Sequence, residues 1–170
     1  MGSRSGQLPT EDDLIDIKSV IDDCYKKPPD TDTAEQKVIF GTSGHRGASY
    51  NASFNEAHIV AITAALVEYR KDKGLGGPII IGLDTHLLSL PAFRTTLRVL
   101  AAADVEYVID SHITGDLLDL AEQGKAPIGC SIWTPTPAIS HAILKYNKGK
   151  TNITEMADGV ILTPSHNPPT

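Results

Sequence analysis

Cysteine is scarce in this chain, and what there is stands isolated. Cys24 and Cys130 lie far apart, with no Cys-x-x-Cys or Cys/His spacing beside either. That pattern argues against a zinc site or a disulfide framework and fits reduced, structural thiols in a cytoplasmic protein. Basic charge is not in excess either: the formal net charge is -6, and the Lys and Arg residues are dispersed rather than gathered into a stripe. Nucleic acid therefore finds no electrostatic footprint. No apolar run has the length of a membrane span, and the polar, acidic start lacks the basic and apolar sections of a signal peptide. The expectation is a cytoplasmic chain without a membrane partner. Repeats, low-complexity tracts and Asp-x-Asp-x-Asp metal loops are missing as well, and the early aspartates Asp12, Asp13, Asp16, Asp22 and Asp23 read as a solvated face.

What is present is a length of 170 residues with 41% hydrophobic content, enough for one sizeable core and too short for two. Residues 1–36 read as a leader helix and linker. Leu14, Ile17, Ile21 and Cys24 recur at helical spacing over 11–25, with Thr10 and Asp13 at its start, and a Pro-containing loop follows. From 37 onward, strand-like runs alternate with helical ones. The strand-like runs are 37–40, 78–83, 105–109 and 159–162. A helix opens after Ser53, three residues before Glu56 as in a capping box, carries Ile59, Ile62, Leu66 and Tyr69 on one side, and stops at Gly74. Further helical patterns occupy 91–103, 115–123 and a stretch starting near Pro137. This alternation predicts an α/β fold over 37–170, a sheet of mainly parallel or mixed strands covered by helices, with ligands at the strand ends.

Three loops that follow strand-like runs carry the chemistry. They are Gly41-Thr42-Ser43-Gly44-His45-Arg46-Gly47, Asp84-Thr85-His86, and Thr163-Pro164-Ser165-His166-Asn167-Pro168. If their strands lie side by side, the loops share one edge of the sheet, where hydroxyls, imidazoles, backbone N–H groups and the Arg46 guanidinium suit an anion. A Gly-rich loop taken alone is equally a plain turn, but a turn has no need of Arg46. The loop is neither a Walker loop, lacking the Gly-Lys-Ser/Thr ending, nor a dinucleotide fingerprint. Ser165, held among prolines, reads either as a stiffened surface loop or as a nucleophile or phosphate carrier. A Ser-His-Asp hydrolase fits poorly, since the Gly-x-Ser-x-Gly elbow is missing. His58 and His141 fall inside helical patterns and read as packing or surface residues, and Trp133 with Thr134-Pro135-Thr136-Pro137 reads as a rigid turn.

Together these motifs resemble the α-D-phosphohexomutase family, and within it the bacterial glucose-specific members. The resemblance rests on Phe40-Gly41-Thr42-Ser43-Gly44-His45-Arg46-Gly47, Asp84-Thr85-His86, Thr134-Pro135-Thr136-Pro137-Ala138, and Asp158-Gly159 followed by the Ser165 loop, in that order. It implies the first domain of a four-domain phosphoglucomutase, which interconverts glucose 1-phosphate and glucose 6-phosphate through a phosphoserine and a glucose 1,6-bisphosphate intermediate. By resemblance, Ser165 is the phosphoserine and acts in catalysis with Arg46 and His166. Thr42, Ser43, His45 and Asn167 would contact the sugar phosphate. One magnesium ion would reach Ser165 through its phosphate, its other ligands being three aspartates of a second domain, and glucose 1,6-bisphosphate would serve as activator. The family's metal, sugar and phosphate-clamping loops would lie beyond Thr170, so the expectation is an N-terminal fragment inactive by itself. The segment 110–131 looks longer than the family's usual connection. A different class of reading is a catalytically dead, stand-alone domain that binds a phosphorylated ligand or a partner.

Overall fold

The computed structural model of the chain describes residues 6–41, 43–123, 125 and 132–163. Within them a parallel sheet forms from β1 (Ile79–Leu83), β2 (Tyr107–Val108) and β3 (Asp158–Leu162), in the order β2-β1-β3. In β1 every residue is buried, as the isoleucine-rich run requires of a central strand covered on both faces. Its alternation decides which layer each side chain joins. Ile79, Ile81 and Leu83 enter the larger core with Leu90, Phe93 and Leu100, whereas Ile80 packs with Ile139 and Ala157 in a smaller one. Helices α2 (Glu56–Lys73), α3 (Ser89–Ala102) and α4 (Gly115–Glu122) contribute to the first core, and α5 (Thr136–Asn147) covers the opposite face. The result is helices on both sides of a parallel sheet, the α/β architecture that the alternation of runs predicts.

The leader is shorter and differently built than its periodicity suggests. Glu11–Asp13 is a single 3-10 turn, and α1 (Ile17–Lys26) starts only at the N-cap Asp16, whose side chain accepts from the Ser19 N–H at 3.1 Å. Asp13 does meet Thr10, accepting from its N–H and its hydroxyl, both at 2.7 Å. Leu14 and Ile17 are exposed, and the face that docks centres on buried Cys24. Docking is secured by polar bonds: the Ser49 hydroxyl donates to the Val20 carbonyl at 2.9 Å, and the Asn55 amide donates to the Lys27 carbonyl at 2.6 Å.

Two other expectations change. The run 37–40 does not join the sheet. Its pairing is confined to one antiparallel bridge between Phe40 and His45, and Val38, Ile39 and Phe40 are exposed. The cause is local: the chain reverses at once, with the Gly41 N–H donating to the Gly44 carbonyl at 3.0 Å, so the run meets its own continuation rather than a neighbouring strand. A short apolar run does not by its pattern alone distinguish these outcomes. The cap of α2 is Asn55 rather than Ser53. The Asn55 side chain accepts from the His58 N–H at 3.3 Å. The Ser53 hydroxyl instead accepts from the Ala48 N–H at 3.0 Å, closing the preceding loop. At its far end α2 stops at Gly74, which takes the left-handed conformation with φ 68°.

Candidate functional site

Because β1 and β3 are parallel neighbours, their C-terminal ends lie together, and the loops that leave them start side by side. The Asp84 N–H donates to the Leu162 carbonyl at 3.1 Å, extending the ladder one step past β1. The Asp84 carboxylate then gathers three donors. One oxygen accepts from the His86 N–H at 3.0 Å and the Ser89 hydroxyl at 2.7 Å, and the other from the Thr163 hydroxyl at 2.6 Å. Short polar side chains that bond the backbone two residues ahead are the chemistry of an Asx turn, so Asp84 bends the chain from β1 toward α3.

A cavity of ≈ 720 Å³ opens beside these ends. Its polar lining includes Ser43, His45, Arg46, His86, Ser89 and Thr163, and its apolar lining includes Phe40, Ile62, Leu66, Tyr69 and Val160. Arg46 is exposed and makes no hydrogen bond or ion pair among the described residues, so its guanidinium is available to an anion. Ser43 is exposed in the same loop. A side chain at Gly47 would collide with the Ser53 backbone, so the close approach there requires glycine.

His45 is used differently from a free phosphate donor. Its Nε2 lies 2.8 Å from the Ser53 carbonyl and its Nδ1 3.2 Å from the Ile39 N–H. Nδ1 is also 3.2 Å from the Ile39 carbonyl, so the ring serves the backbone at both nitrogens, with Nε2–H donating to Ser53, and braces the turn that presents Arg46. The ring also stacks on Phe54, with centroids 6.1 Å apart, and on His58 at 5.0 Å. His58 is buried, with Nδ1 2.9 Å from Asn55 Oδ1 and Nε2 2.8 Å from the Gln36 carbonyl. Both its neighbours are acceptors, and a neutral ring donates to only one of them. Burial, foremost, holds its pKa below the ordinary value, with the Gln36 carbonyl opposing and His45 assisting.

His86 is fixed in one tautomer. Its Nδ1 accepts from the Leu88 N–H at 3.2 Å, which leaves the proton on Nε2. That atom is buried and without a hydrogen-bond partner among the described residues. An unpaired buried donor at a cavity wall is a position for a ligand oxygen. His86 thus joins Arg46 at the cavity, although its sequence motif assigns it no role of its own. Asp84 and Thr163 lie in loops that the sequence singles out, without a role of their own, and the only signal for Ser89 is the Asp-x-His-x-x-Ser spacing at the end of a strand.

Thr42, Ser165, His166 and Asn167 lie outside the described residues. So does Cys130, whereas Cys24 is buried and its thiol pKa is pushed up to about 11 by burial and by the nearby Glu56 carboxylate, which makes it inert. His141 is exposed on α5. Among the described residues no group of three or more His, Cys, Asp or Glu side chains could hold a metal ion, and no helix is long and apolar enough to cross a membrane.

Comparison with known proteins gives the arrangement its relatives. Residues 37–170 match the family model described as phosphoglucomutase/phosphomannomutase, alpha/beta/alpha domain I. A phosphoglucomutase of Komagataeibacter xylinus is 46% identical over 165 residues, which cover 97% of this chain and 26% of that protein. The chain therefore spans about a quarter of the length of this relative. With a parallel sheet flanked by helices and a match running from the Arg46 loop through the Ser165 loop, the chain belongs to the phosphoglucomutase/phosphomannomutase domain I family.

Proposed function

We propose that these residues are the phosphoserine-bearing first domain of a glucose-specific phosphoglucomutase, with Ser165 as the phosphoryl carrier. The observation that carries this reading is the junction of two strand ends at the cavity. Thr163, two residues before Ser165, is bonded to Asp84, and the same cavity is lined by Arg46, whose guanidinium is free among the described residues. A phosphoserine brings a charge of roughly -1.5 to -2 at neutral pH. Arg46 offsets that charge, Ser43 and Thr42 supply hydroxyls, the His86 Nε2–H supplies a further donor, and His45 braces the loop. His166 and Asn167 complete the serine loop in this reading.

During transfer the bond between phosphorus and Ser165 Oγ breaks while a bond to a sugar hydroxyl oxygen forms, and the proton that this hydroxyl gives up is matched by the one the departing serine oxygen takes up. The gain comes from positioning and charge stabilisation rather than covalent work by the protein. In this reading one magnesium ion reaches Ser165 through its phosphate and takes its remaining ligands from aspartates of a second domain. Glucose 1,6-bisphosphate is the expected phosphoryl donor and activator, and the cytoplasm is the expected location.

The test uses the full-length protein incubated with glucose 1,6-bisphosphate and read by intact-protein mass spectrometry. The parent should gain one phosphoryl mass. Ser165→Ala should gain none, Ser43→Ala should be less active yet still label, and Arg46→Ala should label more slowly. A phosphoryl mass on the Ser165→Ala protein would overturn the assignment. Binding of glucose 1-phosphate without any label on the parent would favour the stand-alone binding domain instead. Preference for glucose over mannose is checked by comparing kcat/KM for the two 1-phosphates.

A further inference from the structure

We infer that Asp84 is a positioning residue for the serine loop, acting through the Thr163 hydroxyl; this rests on Ser165 being the phosphoryl carrier. Asp84 and Thr163 are 79 positions apart in the chain, and their 2.6 Å bond joins the ends of two different strands. An ionised carboxylate only accepts, so the hydroxyl facing it must donate, and a β-branched threonine held at Oγ has little χ1 freedom left. Thr163 also precedes a proline, a context that confines its backbone to extended conformations. Side chain and backbone are thus both restricted at the last step before Pro164 and Ser165.

The other Asp84 oxygen holds the His86 N–H and the Ser89 hydroxyl, so one carboxylate sets the exits of β1 and β3 together. His86, whose buried Nε2–H has no partner among the described residues, is aligned by the same group. A carboxylate beside an anion site works against phosphate by like-charge repulsion. Its place there is accounted for by alignment: Thr163 and the His86 donor are set relative to one another by a single residue. A misplacement of about 1 Å is enough to cost on the order of 100-fold in rate.

The experiment compares Thr163→Val, Thr163→Ser and Asp84→Asn in the full-length protein. Valine keeps the branched shape and removes only the hydroxyl, serine keeps the hydroxyl, and asparagine keeps one acceptor oxygen for Ser89 and His86. Thr163→Val and Asp84→Asn should each lower kcat and the rate of Ser165 labelling about tenfold while leaving KM for glucose 1-phosphate within about twofold. Thr163→Ser should retain the parent's rates, and the Thr163→Val, Asp84→Asn double variant should be no slower than Asp84→Asn alone. Hydrogen exchange in the peptide 159–170 should quicken in Thr163→Val and Asp84→Asn but not in Thr163→Ser, with 79–83 unchanged. A Thr163→Val protein that exchanges and labels like the parent overturns the inference, and it does so even if Asp84→Asn fails to fold. Should the parent itself never label, the phosphoserine reading fails, and the exchange comparison still decides whether Asp84 orders the loop.

Discussion

His58 shows how much one buried side chain can bind together. Its ring lies against His45, and its nitrogens face Asn55 and the Gln36 carbonyl, so it joins the linker, the Arg46 loop and the start of α2. Its folded pKa lies below its ordinary value of 6.5, chiefly through burial. The unfolded chain therefore takes up a proton at this position before the folded one does. Its contribution is fully present above pH 6.5 and is lost as pH falls from there toward the folded pKa. His58→Gln should destabilise the protein by about 1–2 kcal/mol at pH 8, through the lost buried hydrogen bonds. The gap between variant and parent should narrow as the pH is lowered toward about 5, because only the parent loses stability by protonating His58. Urea unfolding across that range is the measurement, and a gap that widens on acidification would contradict a lowered folded pKa.

At the scale of the element, α2 serves two purposes at once. Ile59, Thr63, Val67 and Arg70 are buried, and Ile59 and Thr63 also line the cavity together with Ile62, Leu66 and Tyr69. Apolar residues therefore spread around the helix, and periodicity blurs the division between core and site. Ile59 and Leu66 do belong to the inward side or its margin, but Tyr69 stays exposed and buried Arg70 takes the inward place one residue on. Arg70 is satisfied there by the Asp158 carboxylate and the Gly77 carbonyl, a pairing no local pattern announces. The cap is equally a matter of context. Both Ser53 and Asn55 are good N-cap residues, and Asn55 is selected because its amide also reaches the Lys27 carbonyl. Asn55→Ala should lower stability by about 1–2 kcal/mol, since the cap and the tether of α1 are lost together. Thermal and urea unfolding of the variant check this, and a change indistinguishable from zero would mean that neither bond is worth its geometry.

For the molecule as a whole, the relevant fact is share: the matched relative is about four times as long, with this chain covering 26% of it. The described residues bring an arginine, a buried histidine donor and several hydroxyls to one cavity, without a cluster for a metal ion. Positioning and charge stabilisation of a transferred phosphoryl group need more than these. On the proposed function, which assigns the metal and sugar loops to other domains, the 170 residues expressed alone should show no turnover of glucose 1-phosphate, even with magnesium and glucose 1,6-bisphosphate. A coupled assay for glucose 6-phosphate checks this, and measurable turnover would mean that the remaining three quarters of the relative's length are not required for the chemistry.

The isoleucine-rich run of β1, the glycine stop of α2 and the alternation of runs are readable because each is set by residues close in sequence: burial on both faces, a left-handed backbone, a repeat of two or near 3.6. Motif order likewise identifies the family from the chain alone. What local patterning cannot decide are the long-range events. The run 37–40 has strand composition, yet the reversal at Gly41 pairs Phe40 with His45 rather than with the sheet. His45 has the chemistry of a phosphate ligand, yet packing gives both ring nitrogens to backbone groups at Ile39 and Ser53. The bond from Thr163 to Asp84 spans 79 positions and exists only because β1 and β3 are parallel neighbours. Sequence by itself determined which chemical groups end each strand. Tertiary structure decided which of them meet, because a parallel sheet brings distant strand ends to one side, and the order of its strands is settled by the packing of helices on both faces.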